Sequence, residues 1–364
     1  MTTHVHDKIP LWSIAAPALA AVLTALILAH VIPETPLVLI LSAILLGACV
    51  FAAVHHAEML ALKVGEPMGS IVLAVAVTVL EAGLIVSIML SGALGSETVA
   101  RDTVFSALMI VLNGVIGFAL VLGARKHYEQ AFQVNATSAA LGVLGTLATI
   151  VFVLPVFVKA GGPMQFSTLQ ISVVGIICLV LYGVFVFVQT IRHRDYFLEV
   201  DEISDAQPHH VPSAKETIAG AILLPCALLF VILLAKVLSH PVEDAVQAMG
   251  LPKTFVGVAI AAIVLLPEGI ASIRTARLNR VQNSVNLVLG SALASIGMTI
   301  PVVAALAVLT GRPITLGLAP ASIVLLLLTL FISTLTLGTG RTTTLQGTIH
   351  LAIFVMFLLI SAVP

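Results

Sequence analysis

The chain has 364 residues, of which 16 are Lys or Arg and 17 are Asp or Glu, so 9% carry charge while 60% are hydrophobic. Soluble domains are about 25% charged; a chain this poor in polar groups, with mean hydropathy +1.18, cannot cover its own surface in water, which excludes a soluble globular enzyme. A net charge of −1 offers no basic field for nucleic acid, and three cysteines, Cys49, Cys178 and Cys226, each inside an apolar run, exclude a disulfide framework and a CxxC metal site.

A bilayer core about 30 Å thick takes about 20 apolar residues per helix. In chain order the runs of that length are 9–33, 35–57, 67–96, 103–124, 130–158, 160–191, 217–235, 254–273, 281–311, 313–340 and 342–364. The third and eighth runs each hold one interior acid, Glu81 and Glu268. The runs are continuous, without two-residue alternation, so the expectation is an all-α polytopic membrane protein with about 11 transmembrane helices. The first run is long, lacks a small-residue cleavage site and is soon followed by another, so it reads as a helix rather than a cleaved signal.

Basic residues orient the helices. With the N-terminus inside, alternate loops collect 11 of the 16 bases, and the other side receives Arg101, Lys159, Lys236, Lys253 and Arg312. That asymmetry places the N-terminus in the cytoplasm and the C-terminus outside, in a cell inner (plasma) membrane. The 192–216 loop carries Asp195, Glu199, Asp201, Glu202, Asp205 and Glu216 together with His193, His209 and His210. It reads either as a solvated linker between two halves or as a cytoplasmic segment responsive to cations or pH.

The two acid-bearing runs can be laid on each other without gaps, 69–88 on 256–275, which sets Glu81 on Glu268. The next helix also matches loosely, 101–117 on 281–297. A five-helix unit divides the chain into an N-terminal tail and extra helix (1–35), a first repeat (36–191), the acidic loop (192–216) and a second repeat (217–364). Five is odd, so the two copies cross the membrane in opposite directions. Inverted repeats with a site at their midplane are a common architecture of secondary transporters.

A charged acid at a helix centre costs about 2.5–3.5 kcal/mol on insertion scales, and no Lys or Arg lies at similar depth to pair with either one. Two protonated glutamic acids bonded to backbone would be a purely structural reading. The functional reading rests on charge: an empty pair carries −2, which one divalent cation or two protons neutralise. Burial and a like-charged neighbour both favour the protonated carboxyl, so proton and metal compete. Mutually exclusive loads, with only neutral states free to close, describe an exchanger.

Calcium takes about six to eight oxygens, more than two glutamates supply. Pro267 lacks an N–H and withdraws a donor from the carbonyl of Ile263, and Ser106, Asn113, Asn286, Ser291 and Ser295 on the following helices are further candidate ligands. Each of these is equally a helix–helix contact. His55, His56 and Glu58, with Glu66 beyond them, form a polar group that would give protons and cations a way in, or else an interfacial cluster. No HExxH or HxxEH spacing occurs, which argues against a zinc hydrolase. His350 reads as a hydrogen-bonded helix contact.

Gly65-Glu66-Pro67 and Gly69-Ser70 leading to Val79-Leu80-Glu81, Leu266-Pro267-Glu268-Gly269, the stretch from Asn286 to Gly290-Ser291, Gly338 to Thr342 and Gly347 to His350 together resemble the cation/calcium exchanger superfamily. Within it the chain is similar to bacterial calcium(sodium, potassium)/proton antiporters of the Cha type, along nearly its whole length. The resemblance implies paired repeats that each contribute an essential acid, here Glu81 and Glu268, to a central cation site. Vacuolar members carry Gly-Asn-Ala-x-Glu in both repeats; Thr78-Val79-Leu80 and Leu265-Leu266-Pro267 stand in its place here, so those asparagines are missing.

The expectation is therefore an antiporter exchanging Ca2+, and also Na+ or K+, for H+ by alternating access, needing no cofactor and no enzyme chemistry. Its partners would be membrane lipid, inorganic cations and protons, with a homo-oligomer left open. The alternative in the same class is a monovalent-only Na+(K+)/H+ antiporter. An intramembrane hydrolase and a passive channel are the rivals from other classes.

Overall fold

The computed structural model describes residues 9–65, 68–91, 96–197 and 212–363. Eleven helices long and apolar enough to cross a membrane occur among them: α1 (Leu11–Leu28), α2 (Pro36–Val64), α3 (Met68–Ser91), α4 (Val99–His127), α5 (Val134–Phe157), α6 (Thr168–Arg192), α7 (Ala214–Ala248), α8 (Thr254–Arg277), α9 (Val281–Thr310), α10 (Pro320–Leu337) and α11 (Thr344–Ala362). Their ends carry local signals. Thr35 caps α2 ahead of Pro36, and Ser167 with Gln170 and Thr343 with Gln346 form capping boxes on α6 and α11. Gly311 ends α9 in the left-handed conformation that lacks a steric penalty only for glycine.

The observed bounds depart from the hydropathy runs where polar groups find partners. The run 217–235 stops before Lys236, yet α7 continues to Ala248 through Pro241. Its extension is compatible with charge because Glu243 accepts from Gln247 at 3.3 Å and pairs with Lys253 at 3.4 Å. The run from 313 becomes helical only at Pro320. Residues before it are extended and bridge Thr315 to Gln165. Likewise Gln130–Ala131 is a strand, β1, pairing antiparallel with β2 (Arg341–Thr342) rather than the start of α5.

These two pairings have a topological consequence. β1 lies before α5 and Gln165 after it, while Thr315 lies before α10 and β2 after it. The connections at the two ends of α5 are thus fastened to the connections at the two ends of α10, in crossed order.

The chain divides into two compact units, Met1–Leu80 with Gln207–Pro241, and Glu81–Ala206 with Val242–Pro364. These do not follow the boundary drawn between the repeats, since each unit takes helices from both halves of the chain. In the first unit α1 packs antiparallel on α2, with Ser13 beside His56 and Trp12 beside His55. The start of α7 runs along the end of α2, where Lys63 donates to the Pro212 carbonyl at 3.0 Å and Gly220 lies against Met59.

In the second unit α4 is the innermost helix, 83% buried over its spanning window against 33% for α6. Outward-facing side chains such as Leu169, Ile176, Val324 and Phe331 are exposed and apolar, as a helix in contact with lipid requires. Lipid tails are as apolar as leucine, so helix association depends on close packing rather than on removal from water. Phe105 meets Phe152 and Phe357 edge-on at 6.4 and 5.8 Å. α4 and α8 lie parallel along their whole length: Gly257 sits on Asp102, Gly269 on Val115 and the Ala276 carbonyl beside Gly123, and His127 bonds the Arg277 carbonyl.

A Cβ at Gly257 would stand 2.7 Å from the backbone carbon of Asp102, which cannot swing aside. Gly257→Ala is expected to lower the thermal midpoint of detergent-purified protein, corresponding to a loss of about 1–3 kcal/mol from overpacking. An unchanged midpoint would show that the α4–α8 contact is looser than described.

Candidate functional site

Glu81 lies at the middle of α3 and Glu268 at the middle of α8, and both side chains are tied to a third helix, α9. Ser295 donates to Glu81 Oε2 at 2.6 Å, and Ser291 donates to Glu268 Oε2 at 2.5 Å. The two serines are four residues apart, one helical turn, and so share a face of α9. α8 and α9 are antiparallel neighbours here, because a second hydroxyl pair, Ser272 and Ser284, meets at 2.7 Å one turn along α8 from Glu268. α3 runs parallel to α9 instead, with Arg312 donating to the Met89 carbonyl at 2.9 Å beyond the Glu81 contact.

The environments of the two acids differ. Glu81 is 3% exposed and its Oε1 has no hydrogen-bond partner, whereas Glu268 is half-buried. The charged group acting on Glu81 is Glu268, of the same sign. A buried carboxylate is stabilised by a counter-charge or by donors, and one serine hydroxyl supplies only the second of these. Among the described residues no three His, Cys, Asp or Glu side chains cluster as a metal centre.

Serines 291 and 295 flank a change in the helix. From Ser295 to Thr299 the hydrogen bonding of α9 widens to the π pattern, and α4 contains a similar turn at Ile110–Val115. Such turns insert a residue and occur often at functional sites. Each is packed through glycine: Gly297 against Tyr182 of α6, and Gly114 against Phe354 of α11.

The other sequence candidates lie elsewhere or have other partners. Asn113 donates to Thr329 at 2.9 Å and its carbonyl oxygen lies 3.2 Å from His350, whose other ring nitrogen reaches Thr336. That buried network ties the α4 turn to α10 and α11, which explains His350 as a helix contact. Asn286 donates to the Phe197 carbonyl at 2.7 Å and accepts from Gln282; both asparagines are thereby committed as interhelical and loop anchors. Ser106 is buried on α4. Ile263 is half-buried on α8, which continues past Pro267 to Arg277 without a break. His55 and His56 belong to the first unit, where His56 Nε2 lies 3.2 Å from the Ser13 carbonyl and Glu58 is exposed. Glu66 lies outside the described residues, as do 198–211 of the acidic loop.

Comparison with known proteins adds an independent line. The chain matches the family model described as sodium/calcium exchanger protein over residues 34–191 and 219–363. It is 60% identical over 357 residues to a protein of Sinorhizobium fredii named as an ionic transporter, y4hA, covering 98% of this chain and 97% of that one. It is 37% identical over 312 residues to the sodium-potassium/proton antiporter ChaA of Escherichia coli (85% and 84% covered). It is 25% identical over 287 residues to a Ca(2+)/H(+) antiporter of Aphanothece halophytica (72% and 74% covered). The structure of native YfkE superposes with a TM-score of 0.72 at 18% identity, covering 97% of this chain and 99% of that one, which shows a shared fold.

Removing the donors separately should rank the two acids. Ser295→Ala leaves a carboxyl that is 3% exposed with neither oxygen bonded, a loss of about 1–3 kcal/mol. Ser291→Ala is expected to cost less, because Glu268 is only half-buried. Thermal unfolding of the two purified variants checks the order; the reverse order would contradict the assigned environments.

Proposed function

The chain belongs to the sodium/calcium exchanger protein family, and from that premise we propose that Glu81 and Glu268 take up a calcium ion or protons by turns. The protein is a multi-pass membrane cation/proton antiporter. The observation that carries the finer reading is the pair of acids held by one face of α9 with like charge beside like charge. In a low-dielectric site that pair is stable only when neutralised. One divalent cation or two protons does this equally well, so each load must leave before the other binds. That exclusion couples the two fluxes.

Sodium and potassium are included as cargo, since a relative at 37% identity is named for them. A second reading, exchange of monovalent cations alone, is favoured by that same identity exceeding the 25% to the calcium relative. Against it stands the double negative charge, which a single monovalent ion leaves half-compensated.

Alternating access would come from two inverted five-helix repeats, 36–191 and 217–364. The crossed fastening of the α5 and α10 connections supports this, since exchanging the halves turns one pairing into the other. The parallel pairs α3–α9 and α4–α8 exchange in the same way. The excess of basic residues on one set of loops supports an N-terminus in the cytoplasm, a C-terminus outside and an inner-membrane location. Glu58, His55, His56 and Glu66 would form a polar approach on the cytoplasmic side.

Glu81→Gln and Glu268→Gln should each abolish cation-evoked proton flux in proteoliposomes while the protein still inserts and purifies; near-normal exchange in either would remove that acid from the site. Because protons compete for the same oxygens, the half-saturating concentration of calcium should fall as pH rises. A half-saturation independent of pH, measured by proton flux at fixed membrane potential, would exclude shared ligands. Equal activity with sodium and none with calcium would favour the monovalent reading.

A further inference from the structure

Among the described residues, three buried helix hydroxyls of the second unit, Thr103, Thr299 and Ser333, have no hydrogen-bond partner, and of these Thr299 is the one on the helix that holds Glu81. Serine and threonine within helices usually bond back to a carbonyl one turn earlier. Thr146, Ser172, Thr310, Thr334 and Thr348 all do so at 2.7–2.9 Å. Thr299 is wholly buried and its Oγ1 has no partner. It closes the π-turn that Ser295 opens.

A second unsatisfied atom belongs to the same neighbourhood. Ser295 holds Glu81 by Oε2, which leaves Oε1 buried and unpartnered. Residues four apart lie on one face of a helix, so Thr299 follows Ser295 along the face that carries Glu81. They lie about one turn apart along the axis. Two oxygens sharing one calcium at about 2.3–2.6 Å stand at most about 5 Å apart, so the ion would sit between Thr299 and the Glu81 carboxyl. Both orphaned atoms are oxygen acceptors, and the charged group acting on Glu81 is another carboxylate. A cation satisfies both.

We propose that Thr299 Oγ1 is a further ligand of the cation carried at Glu81, binding it together with Glu81 Oε1. The inference rests on the antiport reading given above. It makes the cation shell one-sided: Ser291, Ser295 and Thr299 line a single face of α9, and the last hydroxyl is left for the ion. A hydroxyl lacking any protein bond has no structural task, so its loss distinguishes the two roles.

The test is Thr299→Val, which keeps the shape and removes the oxygen, in full-length protein. Half-saturating calcium, read from cation-evoked proton flux in proteoliposomes, should rise at least about tenfold, the loss of one hydrogen-bond-strength contact to a charge. The maximal rate should change much less, and the thermal midpoint without calcium should stay level or rise. Thr299→Ser should restore the wild-type half-saturation. Should the valine variant fail to assemble, Thr299→Ala removes the same oxygen and carries the same expectation. Wild-type half-saturation in a folded hydroxyl-free variant overturns the proposal. If Glu81→Gln abolishes exchange in parallel experiments, such a result overturns this inference alone; if Glu81→Gln still exchanges, the antiport site itself is misassigned.

Discussion

Two carboxyl groups at the middle of membrane-spanning helices, both held by serines of α9, impose the constraint on which the rest of this structure turns. In water each would be ionised and hydrated. At Glu81, with 3% exposure and Glu268 as the charge acting on it, neither hydration nor a counter-ion from the protein is on offer. On the proposed exchange a lysine or arginine there would remove the reason for uptake as well, because a permanently neutral pair attracts neither a cation nor a proton. The serines of α9 moderate the cost without cancelling the charge. Hydrogen-bond donation stabilises a carboxylate and remains compatible with a protonated one, since a hydroxyl can both give and accept.

The scaffold that holds this pair is assembled by close approach of backbones. Gly257 on Asp102, Gly347 on Gly117 and Val121, and Gly297 on Tyr182 leave no room for a Cβ. Removing water from apolar side chains gains nothing in lipid, so dispersion contacts at short range carry the association. Small residues are needed where two helices run side by side for their whole length, as α4 and α8 do. Of the four π-turns among the described residues, α5 and α6 hold two, and the other two fall in α4 and α9, the helices that lie against the acid-bearing pair. There a rigid helix would present its side chains at a fixed pitch, and the inserted residue re-aims them. The α9 turn ends at Thr299, whose hydroxyl is unpartnered, and the α4 turn carries Asn113 of the Thr329–His350 network.

Much of this was legible from residue order. Continuous apolar runs located all eleven helices, because span length is fixed by bilayer thickness. Charge alone did not place their ends: α7 overran Lys236 since Glu243 finds Lys253, and α10 started late because the residues before it bridge to Gln165. Glu81 and Glu268 were identifiable by the energetic penalty of an acid at the centre of an apolar helix. Ser291 and Ser295 were recognisable as polar groups on a neighbouring helix. Asn113 and Asn286 looked equivalent to them, yet bond elsewhere. Nothing in a list of polar residues tells which one an acid will meet when every helix offers several.

What the amino-acid order determined by itself was the medium, the number of spans and the two acids, since these depend on transfer energies that act residue by residue. Tertiary structure decided the partners. That Glu81 should be held by a serine from the other half of the chain, that one helix should serve both acids, and that Thr299 should be left with an unused hydroxyl follow from how α3, α8 and α9 pack. Those are distances between residues about two hundred positions apart in the Glu81–Ser295 case, and pairwise contacts at that separation are fixed by packing geometry rather than by local preference.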